Sequence, residues 1–320
     1  ISAQNCFALT GTPMENSLME LWSIFDFIMP GYLYTQQKFE ERFVKPIIND
    51  GNKNAGEDLR RHIRPFILRR MKKDVLKELP DKIETVVTCE LTKAQRDIYL
   101  AVLAQARNEI EESIKESGLE KSQLQILAAL TRLRQICCHP ASFIEDYNGG
   151  SGKTELLGEL LEENLALGHR ILLFSQFTSM LDIIEEDLKK KGISYFYLSG
   201  KTPAEERASM VSRFNGGEGD VFLLSLKAGG TGLTLTGADT VIHFDPWWNP
   251  AVEDQATDRA YRIGQEKMVH VFKLITQDTI EEKILLLQKK KKELIDLVIK
   301  PGETLLSKLT QEEIRQLFEA

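Results

Sequence analysis

Between residues 170 and 276, short apolar runs alternate with helical patterns, and little chain is left over between them. Arg170–Phe174, Ile193–Leu198, Val221–Leu226, Val241–Phe244 and Met268–Ile275 read as strands, Val221–Leu226 being a nearly continuous apolar run. Runs of that kind belong to strands buried on both faces, rather than to sheets with one wet side. Met180–Lys191 has helical spacing and is closed by Gly192, and Thr202-Pro203-x-Glu205 has the form of a helix start. Strand–helix alternation with short connections predicts an α/β fold built on one parallel sheet.

Upstream the pattern is mostly helical. Leu18–Met29 is densely apolar and is stopped by Pro30-Gly31; Phe39, Phe43, Ile47 and Ile48 continue a helical subdomain up to a polar loop at Asn49–Gly56. Arg64–Val75 is basic with interleaved apolar residues and reads as an amphipathic helix. Lys82–Leu91 is rich in β-branched residues and reads as a strand. Thr92-Lys-Ala-Gln95 is a capping box opening a helix whose stripe is Ile98, Val102, Leu103, Ala106, Ile110 and Ile114. A second helix has Leu124, Leu127, Leu130, Leu133 and Ile136 on its predicted buried side. His139 at its end suits packing or capping. Gly149-Gly-Ser-Gly-Lys-Thr is not a phosphate loop, because Tyr147 occupies the position of the required first glycine. Ser151 is expected to cap the next helix, and Lys153 is not expected to bind phosphate. Thr279-x-x-Glu282 opens a long helix, with Lys289–Lys292 on its wet face, and one further helix is expected over 301–320.

The stretch from Asp220 to Gln265 carries the chemistry. Lys227-Ala-Gly-Gly-Thr-Gly forces a tight turn that lets backbone approach a phosphate. Asp245-Pro-Trp-Trp-Asn-Pro follows the next strand, and a helix is predicted to carry Arg259 and Arg262. Three residues apart, the two guanidinium groups would leave one helix face, a suitable arrangement for the growing charge of a polyphosphate. An arbitrary Arg-x-x-Arg is more often a surface ion-pairing motif. Here GGTGLTLTGADTVIHFDPWWNP followed by QATDRAYRIGQ closely resembles motifs V and VI of the Swi/Snf-type ATPases, a branch of the superfamily-two helicases and translocases.

The resemblance implies a RecA-like helicase C-terminal lobe with flanking helices and helical protrusions. It implies arginine-finger (catalytic) roles for Arg259 and Arg262, with Gly232 and Gln255 beside them on the ATP side. Leu9-Thr-Gly-Thr-Pro followed by Asn16 is similar to motif III, which assigns Thr10, Gly11 and Thr12 to coupling between lobes. The loops Ser175-Gln-Phe-Thr, Ser199-Gly-Lys-Thr and Lys227-Ala-Gly-Gly resemble motifs IV, IVa and V. That carries DNA-backbone contact onto Ser175, Gln176, Ser199, Gly200, Lys227 and Gly229. Ligands of open α/β sheets do bind outside the carboxyl ends of strands, and such loops can hold phosphates without reading bases. Of Trp247 and Trp248, at least one is expected in the core.

The organisation expected from this is residues 1–80 as the end of lobe one with a helical protrusion, 81–148 as a strand and second protrusion, 149–276 as the C-terminal lobe, and 277–320 as a helical brace. The chain does not start with Met and is expected to be a fragment. The cofactor implied is ATP with Mg2+, the metal being held by the P-loop and acidic motif of lobe one, neither of which occurs in these 320 residues. The expected partner is double-stranded DNA, with a DNA-bound protein such as RNA polymerase or a chromatin protein as target. Strand-separating helicase and non-catalytic DNA- or protein-binding module are the competing functions. No apolar run approaches the ~20 residues of a membrane helix, and no signal peptide is recognisable. Cys6, Cys89, Cys137 and Cys138 lack zinc-site spacing and are expected as reduced thiols, mostly buried. No metal site is therefore expected. A net charge of −7 excludes a uniformly basic coat but not a local basic cleft. The expected location is the cytoplasm, at the nucleoid, in a bacterium, or the nucleus in a eukaryote.

Overall fold

The computed structural model describes residues 3–9, 18–48, 52–68, 79–226, 232–297 and 317–318. Two compact units emerge: Ile1–Val75 with Lys289–Lys308, and Leu76–Gln288 with Leu309–Ala320. Thr10, Gly11, Thr12, Lys227 and Gly229 lie outside the described residues, as do most of the expected basic helix and the C-terminal tail.

The first unit is helical. Helix α1 spans Leu18–Ile28; α2 (Gln36–Phe39) runs through a π turn at Glu40–Val44 into α3 (Lys45–Ile48); α4 spans Lys53–Ile63. The polar loop expected to reach Gly56 ends sooner, because the Asn52 side chain accepts the Asn54 and Ala55 amides and starts α4 there. Leu21, Phe25, Leu33, Phe39, Phe43 and Leu59 close the unit's core. Arg64–Phe66 is a single 3₁₀ turn rather than the beginning of a long helix.

The second unit is organised on one six-stranded sheet. Its strands are β1 (Lys82–Cys89), β2 (Ile171–Ser175), β3 (Tyr195–Leu198), β4 (Val221–Ser225), β5 (Thr240–His243) and β6 (Val269–Thr276). They are ordered β1-β6-β5-β2-β4-β3, and every pairing is parallel. The strand expected beside the second protrusion is thus the sheet's edge strand. Helices α5 (Lys93–Ser117), α6 (Leu119–Cys138) and α7 (Gly152–Ala166) separate β1 from β2. Then α8 (Thr178–Lys191), α9 (Ala204–Asn215), α10 (Pro250–Thr257) and α11 (Ile280–Leu297) follow β2, β3, β5 and β6.

The pleat divides the apolar runs between two cores. Leu172, Phe174, Phe222, Leu224 and Val241 face Phe214 of α9 and Ala256 of α10. Their neighbours Ile171, Leu173, Val221, Leu223 and Ile242 face Leu157 and Leu161 of α7 and Met180, Ile184 and Leu188 of α8. Five consecutive buried residues in β2 and in β4 are the consequence.

Several local expectations change. Leu124 and Leu127 of α6 point to solvent at 78% and 37% exposure, and Ile126 packs in their place beside Leu130 and Leu133. Thr202 does not cap α9, which starts one residue later; its hydroxyl accepts the Ser199 amide. Ser151 sits at the start of α7, but its hydroxyl donates to the Cys138 carbonyl. The Gly152 amide is satisfied instead by Gln95 Oε1, which also closes the Thr92 capping box. Gly152 is required by space: a Cβ there would lie 2.0 Å from the Glu90 carbonyl oxygen. His139 caps the short turn after α6 by accepting the Ala141 amide. Cys137 and Cys138 are fully buried, and burial pushes both thiols above their usual range.

His243 at the end of β5 is 2% exposed, with Nε2 2.9 Å from the Thr257 hydroxyl. Burial lowers its pKa to about 4 from 6.5, against the pull of Glu253 and with the push of Lys273. Above pH 6.5 both folded and unfolded chains hold a neutral ring. Below it the unfolded chain takes a proton that the folded one refuses, so stability is lost as pH falls from 6.5 to about 4. A lowering of this size corresponds to roughly 3 kcal/mol. We predict that His243→Gln flattens this acid limb in urea titrations at pH 7 and pH 5. An unchanged slope would remove the assignment.

Candidate functional site

The strands end flush. Register pairs Ser175 with Ser225, Phe174 with His243, and Leu198 with Leu224. The connections leaving β2, β3, β4 and β5 therefore emerge along one carboxyl edge, the position expected of a ligand-binding edge.

Asp245 organises the centre of that edge. It is 3% exposed, and one carboxylate oxygen accepts the Ser175 hydroxyl at 2.5 Å and the Gln176 amide at 3.2 Å. Its other oxygen meets Arg134 Nη2 of α6 at 3.3 Å. Burial raises the Asp245 carboxyl above its ordinary value, and Arg134 and Ser175 oppose that rise. Ser175 is itself only 1% exposed. Its hydroxyl is committed inward, so the outward surface of this loop begins at Gln176.

Ser199 and Gly200 follow β3. The Ser199 hydroxyl accepts the Lys201 amide, while the Ser199 and Gly200 carbonyls accept Arg207 Nη2 at 3.4 and 3.3 Å. Arg207 thereby binds this loop to α9. No side chain would be crowded at Gly200, where a Cβ meets nothing within 4 Å.

The arginines do not share a helix. Helix α10 stops at Thr257, and Arg259 and Arg262 lie in consecutive tight turns. Beyond Thr257 the Arg259 and Ala260 amides reach back only three residues, to the Ala256 and Thr257 carbonyls, and the Arg262 amide only two, to Ala260. The Arg259 carbonyl is taken by the Leu235 amide at 2.9 Å, and the Ala260 carbonyl by Gln265 Nε2 at 3.1 Å. Gln265 also donates to the Thr236 and Ala238 carbonyls, so it fastens the arginine turn to the 232–238 connector. Gly232 on that connector has φ +43, and its carbonyl accepts Arg262 Nη1 at 3.4 Å.

The two side chains differ in burial. Arg259 is 9% exposed, and its Nε has no hydrogen-bond partner among the described residues. Arg262 is exposed. Burial lowers the Arg259 pKa, and the Arg262 charge lowers it further, with Asp258 opposing. The structure thus brings together Arg259, Arg262 and Gly232. Gln255 is half-buried in α10, one turn before Arg259. An orphaned guanidinium nitrogen beside a second cation is chemically fit for an anionic ligand such as a polyphosphate.

The aromatic loop after β5 packs inward. Trp248 is 8% exposed and Trp247 half-buried, with the Trp247 amide donated to Glu253 Oε1 at 2.7 Å. Lys153, the lysine of the SGKT run, is 1% exposed and bonded to Glu281 at 2.5 and 2.6 Å, so it takes no part in the edge. Arg134, Asp245 and Gln265 were not singled out for these roles in the sequence, although Asp245 and Gln265 belong to the quoted motifs. No cluster of His, Cys, Asp and Glu suited to a metal occurs among the described residues.

Comparison with known proteins gives a consistent pattern. Residues 1–142 match the SNF2-related domain and residues 152–264 the helicase conserved C-terminal domain. The helicase/translocase-like protein YwqA of Bacillus subtilis is 43% identical over 319 residues, covering 97% of this chain and 34% of YwqA. The Sulfolobus solfataricus SWI2/SNF2 ATPase core in complex with dsDNA superposes with a TM-score of 0.63 at 40% identity, over 98% of this chain and 66% of that one. The C-terminal domain of the Sulfolobus solfataricus SWI2/SNF2 ATPase gives a TM-score of 0.61 at 37% identity, over 75% of this chain and 99% of that domain. The chain spans about a third of the length of the first curated relatives it matches.

Proposed function

Because this chain belongs to the SWI2/SNF2 family of ATP-dependent helicase-like proteins, we propose that it is the lobe of a double-stranded DNA translocase that supplies arginine fingers and part of the DNA grip. The observation that carries this reading is the Arg259–Arg262 pair, a buried cation with an unpaired Nε held beside an exposed one. Two such charges repel each other, and a multiply charged anion between them relieves that cost.

In this reading ATP with Mg2+ supplies the phosphoryl group and its charge, and the lobe's own residues bind and orient it. Arg259 and Arg262 neutralise charge on the terminal phosphate, Gly232 positions Arg262, and Gln255 lines the nucleotide side. Gln176, Ser199 and Gly200, with Lys227 and Gly229, hold the sugar-phosphate backbone, and Ser175 fixes their loop from beneath. Thr10, Gly11 and Thr12 relay between nucleotide and DNA. Repeated closing and opening of the motor would move protein–DNA complexes along or off the duplex, at a bacterial nucleoid or in a eukaryotic nucleus. The dsDNA bound to the Sulfolobus core supports duplex over single strands as the track.

The test is steady-state ATP hydrolysis by the full-length natural protein without DNA, with single-stranded DNA and with duplex DNA. Duplex is expected to stimulate at least about tenfold more than single strands, a difference of ~1.4 kcal/mol in transition-state stabilisation. Equal stimulation by single strands favours a strand-separating helicase, and no hydrolysis at all favours a binding module. The 320-residue chain alone is expected to hydrolyse ATP negligibly, since no phosphate loop occurs within it. Robust hydrolysis by this chain, abolished by Arg262→Ala, would refute that expectation.

A further inference from the structure

We infer that Arg134 is a positioning residue for the DNA-facing loop after β2, acting through Asp245. The inference rests on the DNA-gripping function proposed above and assigns it a residue 41 positions before that loop's serine, on a helix outside the strand–helix alternation.

Arg134 is among the most completely buried large side chains, at 2% exposure. Its guanidinium lies 5.5, 5.7 and 5.6 Å from the ring centroids of Phe177, Trp247 and Trp248. The cage is built from both loops of interest, since Phe177 follows β2 and the tryptophans follow β5. Within it, Nη2 donates to Asp245 and to the Pro246 carbonyl. Asp245 then spends its other oxygen on the Ser175 hydroxyl and the Gln176 amide. One carboxylate thus joins α6, the β2–α8 loop and the β5–α10 loop. From Trp247 the path continues to Glu253 in the first turn of α10, and to Gln288 of α11, which donates to Glu253 at 2.9 Å.

A buried cation in an aromatic cage, with one nitrogen unpaired, is an expensive way to hold a helix in place. Apolar residues would pack α6 against the sheet at lower cost. What an apolar side chain cannot do is orient a carboxylate so that it clamps the loop that begins at Ser175. Lysine cannot substitute, because it lacks the planar fork and stacks poorly on rings.

The test compares full-length wild-type protein with Arg134→Lys, Ser175→Ala and the double variant in duplex-stimulated ATP hydrolysis. Each single variant is expected to raise the duplex concentration for half-maximal stimulation about tenfold, with KM for ATP unchanged. Because both act through one carboxylate, the double variant is expected near tenfold rather than a hundredfold. A purely packing role for Arg134 would lower kcat through loss of folded protein and leave the DNA dependence alone. Arg134→Gln, which keeps a donor in the cage without burying an ammonium, replaces Arg134→Lys if the latter does not fold. An unshifted DNA dependence in folded variants, or effects that multiply, overturns the inference while leaving the motor function standing. Absence of DNA stimulation in the wild type overturns both.

Discussion

Arg262→Ala in the full-length protein is expected to lower kcat for DNA-stimulated ATP hydrolysis by about 10³-fold or more, the size of an arginine-finger effect. KM for ATP should change little, because charge on the transferring phosphoryl group grows mainly in the transition state. Arg262→Lys should recover only a small part, since an ammonium cannot offer the guanidinium's forked donors. Arg259→Ala is expected to be equally damaging in kcat but to carry a second signature. Arg259 is 9% exposed and next to another cation, so its removal trades lost packing against relieved repulsion. Thermal melting of the two variants should therefore differ while their kinetics agree. Single-turnover hydrolysis separates chemistry from product release. A loss of less than tenfold in Arg262→Ala would sink the finger assignment.

The second large effect is on stability. Lys153→Met is expected to destabilise the second unit by about 3–5 kcal/mol, because Glu281 is left charged and buried. For a unit of this size that is a fall of roughly 10 °C in Tm. Both side chains are fully inaccessible, and Nζ sits between the two Glu281 oxygens. Burial pulls the lysine pKa down, but the Glu281 charge and hydrogen bond, with the neighbouring Cys138 and Cys137, more than offset it and leave the pKa raised. Glu281 also accepts the Thr276 amide, so the pair joins the start of α7 to the end of β6 and the first turn of α11. Lys153→Met combined with Glu281→Leu should regain most of the loss, since it removes both charges. A double variant as unstable as the single one would contradict this. Nucleotide affinity should be unaffected by either, in contrast to a phosphate-loop lysine.

What the string of residues revealed, it revealed through periodicity. β2 and β4 were legible because both faces are buried, which leaves five apolar or small residues in a row. The capping box at Thr92 was legible because its two partners are three residues apart. The end of α10 was not. Between Pro250 and Gly264 no residue breaks a helix; after Thr257 the backbone tightens into short turns, which Leu235 and Gln265 hold through the Arg259 and Ala260 carbonyls. Asp245 and Lys153 were opaque for the same reason, their partners Arg134 and Glu281 being 111 and 128 positions away. Ser175 was found as a loop residue, but only the fold shows that its hydroxyl turns inward.

The pairing of β1 with β6 bears on how the protein is made. Cys89 and Thr276, the last residues of that register, are 187 positions apart. At ribosomal speeds of about 5–20 residues per second, roughly 10–40 s pass between synthesis of one strand and of the other. During that interval β1 is a nascent strand whose parallel neighbour does not yet exist. Its Val86-Val87 segment must then be kept from pairing elsewhere. The flanking Glu84 and Glu90 place charge at both ends of it. On this view those charges guard the unfinished protein.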